Sequence, residues 1–326
     1  VRSGFVTVVG RPNVGKSTLV NQMVGAKVSI TSPRPNTTRH SVRGVLHRGD
    51  AQVVFVDTPG LHRPHTALGE RLNETAGSSL ADVDVVVVLV DATAAVGPGD
   101  RMVLSRALSR PRDLSGDGAS GDGASDPGAS DPGASGDGEA PPSLLVAVNK
   151  IDRATSDEIL VRLATVAVAV DRLAAEQAGR SGQVPDVEYF PVSASTGEGV
   201  GALVEAVVTR LPDGPPYYPE DMVTDTPEAV RVAELVREQL LARVRDELPH
   251  AIACRVSEWE WPRIRCEILV ERDSQKAIVI GRGGEVLKAV GTAVRQELPP
   301  GAFLELFVRV ERHWQQRDDV LDRLGY

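Results

Sequence analysis

The run Gly10-Arg11-Pro12-Asn13-Val14-Gly15-Lys16-Ser17-Thr18 has the residue types and spacing to hold a triphosphate, and fits the pattern G-x-x-x-x-G-K-[ST]. Gly10 and Gly15 let the backbone turn its N–H groups towards phosphate oxygens. Lys16 would reach the β- and γ-phosphates, and the Ser17 hydroxyl would sit on Mg2+. Three groups follow downstream. Asp57-Thr58-Pro59-Gly60 offers a carboxylate that can hold Mg2+ through water and a glycine N–H that can sense a γ-phosphate. Asn149-Lys150-Ile151-Asp152 offers a carboxylate, Asp152, that can accept from the N1–H and the 2-amino group of guanine. Adenine lacks that pair, so a site built around it rejects adenine strongly. Asn149 would brace the loop and Lys150 would stack its stem on the base. Ser193-Ala194-Ser195 would bring a backbone N–H, that of Ala194, to guanine O6. Taken singly, these are also a glycine-rich turn, a strand exit built on Pro and Gly, and a charged loop.

The elements that must position these groups are legible too. Phe5–Val9 is apolar and β-branched and predicts a buried strand, and Thr18–Val24 predicts the helix after the loop. From Val6 to about Leu211, apolar strands alternate with helical stretches, the pattern of an α/β fold with a mostly parallel sheet and helices on both faces. Strands are expected at Val42–His47, Gln52–Val56, Val83–Val90, Leu144–Val148 and Val187–Val192. Helices are expected near Leu68–Ser79, Gly99–Ser109, Asp157–Glu176 and Val200–Leu211. Each motif then falls at a strand's C-terminal end, where an open α/β sheet binds its ligand. Four motifs in this order, each so placed, resemble the GTPase branch of P-loop proteins. The polar, proline-containing stretch Ser29–His40 is left to supply a threonine for Mg2+, from Thr37-Thr38-Arg39; the resemblance favours Thr38. Lys16, Thr38 and Gly60 are the residues expected to act at the γ-phosphate.

Many GTPases carry a glutamine after the glycine of the second motif, to orient the attacking water. This chain has Leu61, which predicts slow intrinsic hydrolysis. By resemblance, GTPases with an apolar residue there and an Asn at the Asn13 position use K+ in place of an arginine finger. The segment His62–Leu72, with Arg63, His65 and Arg71, is expected to be the second switch.

The chain has 326 residues, about two domains by length. Arg112–Pro142 breaks the α/β rhythm with the near-repeat GDGAS, GDGAS, DPGAS, DPGAS, and Gly, Ser, Asp, Ala and Pro bury too little surface to offset chain entropy. It reads as a disordered acidic surface insertion, with a partner-binding loop as the alternative. Net charge of −9 argues weakly against a nucleic-acid partner, but from Asp113 to Pro142 there are seven acids and no basic residue, and without those acids the charge is −2. Cys254 and Cys266 form no C-x-x-C, so a reduced, cytosolic setting without disulfide or zinc is expected. No apolar run reaches the roughly 18 residues of a transmembrane segment. No signal peptide is visible, and the chain opens on Val1 rather than Met.

Leu211–Thr226, with Pro212, Pro215, Pro216 and Pro219, reads as a linker between a domain at 1–211 and another at 227–326. The second domain predicts a long amphipathic helix to about Leu248 and strands at Ala251–Glu258 and Arg263–Glu271. A helical turn at Ser274–Ile280, a helix to Leu298, a strand at Leu304–Val310 and a helical tail follow. This α-β-β-α-α-β order with Gly281-Arg282-Gly283-Gly284 between two helices matches a type II KH domain, whose G-x-x-G loop packs against single-stranded RNA. Arg282 would meet phosphates, Ile278, Ile280, Val286 and Leu287 would line a base groove, and Lys276 and Lys288 would flank it. A helix connection with glycine caps is the alternative. Bulk charge does not decide between them, because Glu228–Tyr326 holds 16 Arg or Lys and 17 Asp or Glu.

GTPase followed by type II KH is similar to the Era family of bacterial ribosome-assembly GTPases. The matching stretches are Gly10–Ser17, Thr37-Thr38-Arg39-His40, Asp57-Thr58-Pro59-Gly60-Leu61-His62, Tyr218-Pro219-Glu220-Asp221, Val279–Gly284 and Leu324-Gly325-Tyr326. The resemblance implies GTP/GDP and Mg2+ as ligands, with binding of 16S rRNA near its 3′ end by the KH domain. It also implies assistance to 30S subunit assembly and maturation, a cytoplasmic monomer, and peripheral contact with the inner membrane face. Its departure is the Arg112–Pro142 insertion. The competing reading is a GTPase signalling switch whose second domain binds a protein rather than RNA; a GTPase of RNA modification would need a further domain that the sequence does not display.

Overall fold

A computed structural model describes residues 1–34, 37–60, 66–80, 83–109, 143–181, 186–244 and 248–326. The expectations for Leu61, for His62–His65 and for the Arg112–Pro142 insertion lie outside them. The first half of the chain builds a six-stranded sheet in the order β2-β3-β1-β4-β5-β6. Its strands are β1 (Arg2–Gly10), β2 (Val42–Arg48), β3 (Ala51–Asp57), β4 (Val85–Asp91), β5 (Ser143–Asn149) and β6 (Val187–Val192). Only β2 runs antiparallel, paired with β3. The helices are α1 (Lys16–Val24), α2 (Ala67–Ser78), α3 (Pro98–Leu108), α4 (Ser156–Ser181) and α5 (Val200–Arg210).

The near-continuous apolar strands follow from burial on both faces. Val6, Val8, Phe55, Val87 and Leu145 pack with Leu19 of α1 and Leu203 of α5. Val9, Val86, Val88 and Val146 pack on the other face with Leu104 of α3 and Val166 of α4. The parallel register pairs Val8 with Asp57, Asp91 with Asn149, and Asn149 with Val192. The C-terminal ends of β1, β3, β5 and β6, which carry the four motifs, therefore lie along one side of the sheet.

The second half builds a three-stranded sheet, β7 (Ala253–Glu260), β8 (Arg263–Val270) and β9 (Phe303–Val310), with β7 antiparallel and β9 parallel to β8. Helices α6 (Glu228–Leu241), α8 (Asp273–Ile280) and α9 (Glu285–Gln296) cover one face. The expected α-β-β-α-α-β order is present. One short helix is added, α7 (Leu248–Ala251), and the expected helical tail is present as a short turn at Trp314–Gln316 and α10 (Asp318–Leu324). One expectation is corrected: the helix drawn to Leu248 ends at Leu241. Val244 beyond it is buried at 3% exposure, so its apolar character serves the core from non-helical chain.

The segment read as a linker is bound to the first sheet. The backbone N–H groups of Tyr217 and Tyr218 donate to Gln52 Oε1 at 2.6 and 3.0 Å. The Val45 N–H donates to the Val223 carbonyl at 2.9 Å, which covers the edge strand β2.

Candidate functional site

Residues 10–16 leave β1 in a turn that only glycine completes. Gly15 sits at φ 103°, and a Cβ there would lie 2.4 Å from Asn149 Nδ2. Asn13 also has positive φ, 63°. Lys16 Nζ is folded back on the carbonyls of Gly10 and Arg11, both at 3.2 Å. Burial pushes its ammonium down to about 8, and the nearby Asp57 carboxylate offsets this in part. A phosphate would replace both carbonyls as its partner. Arg11 contributes backbone only, since its Nε donates to Asp100 Oδ1 of α3 at 2.6 Å. The loop faces a cleft of about 490 Å³ lined by Asn13, Lys16, Ser17, Thr18, Thr38 and Lys150 among others.

Beside the loop, three residues from distant parts of the chain converge. Ser17 Oγ and Thr38 Oγ1 are 2.8 Å apart, and Thr38 Oγ1 donates to Asp57 Oδ2 at 3.3 Å. Asp57 is wholly buried, and its Oδ1 has no partner among the described residues. Burial pushes its carboxyl above the ordinary range, against hydrogen bonding from Ser17 and the charge of Lys16. Two hydroxyls and a buried, underpaired carboxylate form an all-oxygen donor set, the kind a hard cation such as Mg2+ takes. Thr58 turns its hydroxyl back to the Val8 carbonyl at 3.1 Å, and Pro59 and Gly60 follow under the loop. A Cβ at Gly60 would lie 3.1 Å from Pro12 N and 3.2 Å from Lys16 Nζ.

At the far end, Asn149 ties two loops together. Its Nδ2 donates to the Val14 carbonyl at 2.8 Å, and its Oδ1 accepts from the Ala194 N–H at 2.9 Å. The N–H expected at guanine O6 is thus directed at Asn149 here. Lys150, at φ 70°, donates to the Asn13 carbonyl at 2.9 Å and to Asp91 Oδ2 at 2.6 Å. The Ser193 hydroxyl donates to Asp152 Oδ1 at 2.6 Å and lies 3.0 Å from Ser195 Oγ. That bond holds the Asp152 carboxyl below its ordinary range, ionised for two base donors.

In the second half, Gly281 to Gly284 join α8 to α9. Gly281 has φ 76° and packs so closely that a Cβ would lie 2.5 Å from Val286 Cγ2. Gly283 and Gly284 have φ 61° and 80° with open space around them. Arg282 and Lys288 are exposed, Lys276 and Ile280 half-buried, and none of the three cations has an ion pair among the described residues. Ile278 is 56% exposed beside them, while Val286 and Leu287 pack against the core.

Residues 5–114 match a family described as 50S ribosome-binding GTPase, and residues 247–315 match the KH domain. GTPase Era of Mycobacterium tuberculosis (strain ATCC 25618 / H37Rv) is 43% identical over 336 residues, covering 99% of this chain and 98% of that one. The chain belongs to the Era family of GTPases. GTPase Era of Mycobacterium avium (strain 104) is 42% identical, with 100% and 99% covered. Among solved structures, a point variant of Aquifex aeolicus Era bound to GDP·AlF4− superposes with a TM-score of 0.78 at 32% identity, covering 100% of this chain and 99% of that one. Era in complex with MgGDPNP and nucleotides 1506–1542 of 16S ribosomal RNA gives 0.79 at 32% identity, with the same coverage.

Sequence reasoning missed the residues by which the two halves of this Era-family chain meet. Arg39 is 4% exposed, and its Nη1 donates to the Ile252 carbonyl at 2.8 Å. Lys27 pairs with Glu238 of α6 at 2.6 Å and with Glu297 at 2.8 Å. Arg71 of α2 reaches Asp318 and Asp322 of α10 at 2.8 and 2.5 Å. Leu68 and Leu72 of the same helix pack with Trp314, Leu321 and Leu324. A signal was present: Glu234, Arg237 and Glu238 are charges on the face of α6 that also carries the apolar Leu241.

Proposed function

We propose that this Era-family GTPase is a GTP-switched RNA-binding factor that acts in assembly and maturation of the small ribosomal subunit. The observation that carries the reading is that Thr37–His40 belongs to two structures at once. Thr38 closes the oxygen cluster of Ser17 and Asp57, while Arg39 is buried against Ile252 in the KH-bearing half. A ligand that holds Thr38 in place therefore bears on the second half.

Residues Gly10–Thr18, Lys16 foremost, would cradle the phosphates, and Asp152 with Ser193–Ser195 would read guanine. Ser17, Thr38 and Asp57 would hold Mg2+, which when bound neutralises charge on the phosphate oxygens. Water attacks the γ-phosphorus, the bond to the β,γ-bridging oxygen breaks, and GDP and phosphate leave. The Gly60 N–H would follow the γ-phosphate, a reading supported by the closeness of Gly60 to Lys16. The Leu61 side chain has no polar atom to orient water, and K+ at Asn13 is the aid we assign; Asn13 is exposed and lines the cleft.

The RNA partner we assign is the 3′ region of 16S rRNA, held by Gly281–Gly284 with Arg282, Lys276, Lys288 and Ile280. The presence of nucleotides 1506–1542 in the Era complex supports this. Residues 1–211 would form the GTPase domain and 227–326 the KH domain. The setting we assign is cytoplasmic, with peripheral contact at the inner membrane face; no described helix is long and apolar enough to cross a membrane.

The test is binding of a short single-stranded RNA from that 3′ end, at fixed salt, with a non-hydrolysable GTP analogue or GDP. Tight binding with the analogue alone is expected. Equal binding in both states removes the switch and leaves an RNA-binding GTPase. Absence of binding in both favours a protein partner for the second domain.

A further inference from the structure

Thr38 is gripped on both sides by the second half of the chain. On its C-terminal side, the Arg39 guanidinium is buried against Ile252, 5.5 Å from the Trp314 ring and 5.9 Å from the Tyr326 ring. On its N-terminal side, Arg237 Nη2 of α6 donates to the Thr37 carbonyl. Arg237 is wholly buried. Its ion partner is Glu234, one turn earlier on the helix, reached by Nε at 3.0 Å and Nη2 at 2.6 Å. That fork fixes the plane of the guanidinium and aims it at Thr37. Arg237 Nη1 is buried without a partner among the described residues. This desolvation cost would be avoided by an apolar side chain of similar volume, so packing alone does not account for the arginine.

We propose that Arg237 is a positioning residue for GTP hydrolysis, supplied to the nucleotide site by the KH-bearing half. By holding the Thr37 carbonyl it sets the main chain that presents Thr38 Oγ1 to Ser17 and Asp57. Glu234 acts one step further back, by holding Arg237. The inference rests on Thr38 being a γ-phosphate and Mg2+ contact. By linkage, whatever favours Thr38 in this position favours the docked second half to the same degree, and the reverse.

The experiment uses the full chain with the paired change Glu234→Leu/Arg237→Met, which removes both charges at similar volume and leaves neither partner stranded. Affinities for fluorescent GDP and for a fluorescent non-hydrolysable GTP analogue are measured across a Mg2+ titration, beside steady-state hydrolysis. GDP affinity should stay within about twofold, since the loop and base contacts are untouched. Analogue affinity at saturating Mg2+ should fall about tenfold, the effect of one charge-assisted hydrogen bond, and kcat should fall with it. A merely structural role would lower both affinities together, and an unchanged analogue-to-GDP ratio overturns the proposal. Thr38→Ala separates the two layers. If it lowers that ratio while the paired variant does not, only the role of Arg237 falls; if it leaves the ratio unchanged, the reading of Thr38 falls first. Should the paired variant not fold, Arg237→Lys keeps the charge but not the fork; it must lower the same ratio, and a wild-type ratio there also overturns the proposal.

Discussion

Replacing Asn149 by alanine tests whether the two nucleotide loops are held by one side chain. Asn149 is 2% exposed and bonds the Val14 carbonyl at 2.8 Å and the Ala194 N–H at 2.9 Å. One partner only accepts and the other only donates, so the amide has a single orientation. Alanine strands both buried backbone groups, at about 1–3 kcal/mol each. If water repairs part of the loss, about 3 kcal/mol is left. For a domain of this size that lowers Tm by roughly 6–12 °C. The assay is thermal unfolding of the nucleotide-free chain followed by far-UV circular dichroism and by tryptophan fluorescence. Trp259, Trp261 and Trp314 all lie in the second half, but Trp314 packs against Leu68 and Leu72 of the first, so its fluorescence follows loss of that contact while dichroism reports both halves. The shift should appear in both. Asn149→Asp sharpens the test, because it keeps the acceptor for Ala194 but sets a carboxylate oxygen against the Val14 carbonyl. It should be at least as unstable as the alanine variant. An alanine shift below about 2 °C, or an aspartate variant as stable as wild type, would refute the brace.

Asp91→Asn should weaken GDP and GTP binding alike, by about three- to tenfold, because Lys150 loses its 2.6 Å partner; nucleotide titration reads it. Burial opposes ionisation of Asp91, but Lys150 and Thr93 outweigh it and hold the carboxyl below its ordinary value of 3.8. The folded form then binds fewer protons, so this stabilisation is complete above that value and is lost as pH falls through the lower folded one; acid titrations of the variant should lose that slope. Hydrolysis should run several-fold faster in K+ than in Na+, and Asn13→Ala should erase the difference; equal rates in the two salts for the wild-type chain would remove K+ from the mechanism. Gly283→Asp/Gly284→Asp puts acids where Cβ atoms meet open space and where Asp tolerates positive φ, so the fold should persist while RNA binding falls by an order of magnitude or more at low salt. Retained binding would point to a protein partner.

The nucleotide cleft was legible because its chemistry is local. Glycines, a lysine and a serine at fixed spacing, or an acid after an apolar strand, place a group without knowledge of the rest of the chain. The apolar strands were legible for the same reason, and β6 spans the residues expected of it. The contact between the halves was hidden. Arg237 reads as a surface charge on an amphipathic helix, and only the approach of Thr37, 200 residues away, makes it a buried one. The end of α6 was misread because no glycine or proline marks it, and the apolar Val244 prolongs the pattern. The proline-rich connector looked loose in composition. What anchors it is Gln52, a polar residue near the start of an otherwise apolar strand, 2% exposed and bonded to Tyr217 and Tyr218.

That anchored connector sets the reach of the second half. It is held as far as the Val223 carbonyl, and beyond it the Thr224 hydroxyl donates to the Arg43 carbonyl at 2.7 Å and Asp225 accepts from Arg43 at 2.9 Å. Only Thr226 and Pro227 remain before α6 begins at Glu228. Two residues span about 7 Å when extended, and proline removes much of their freedom. A second half that lets go of Thr37 and Arg39 is therefore not released on a long leash; it pivots at one point. Its effective concentration at the interface stays high, so re-docking is a search over angle and scarcely over distance. If the nucleotide is the switch proposed above, it sets the direction in which the glycine loop faces, and the short pivot limits how far that loop can travel from the cleft.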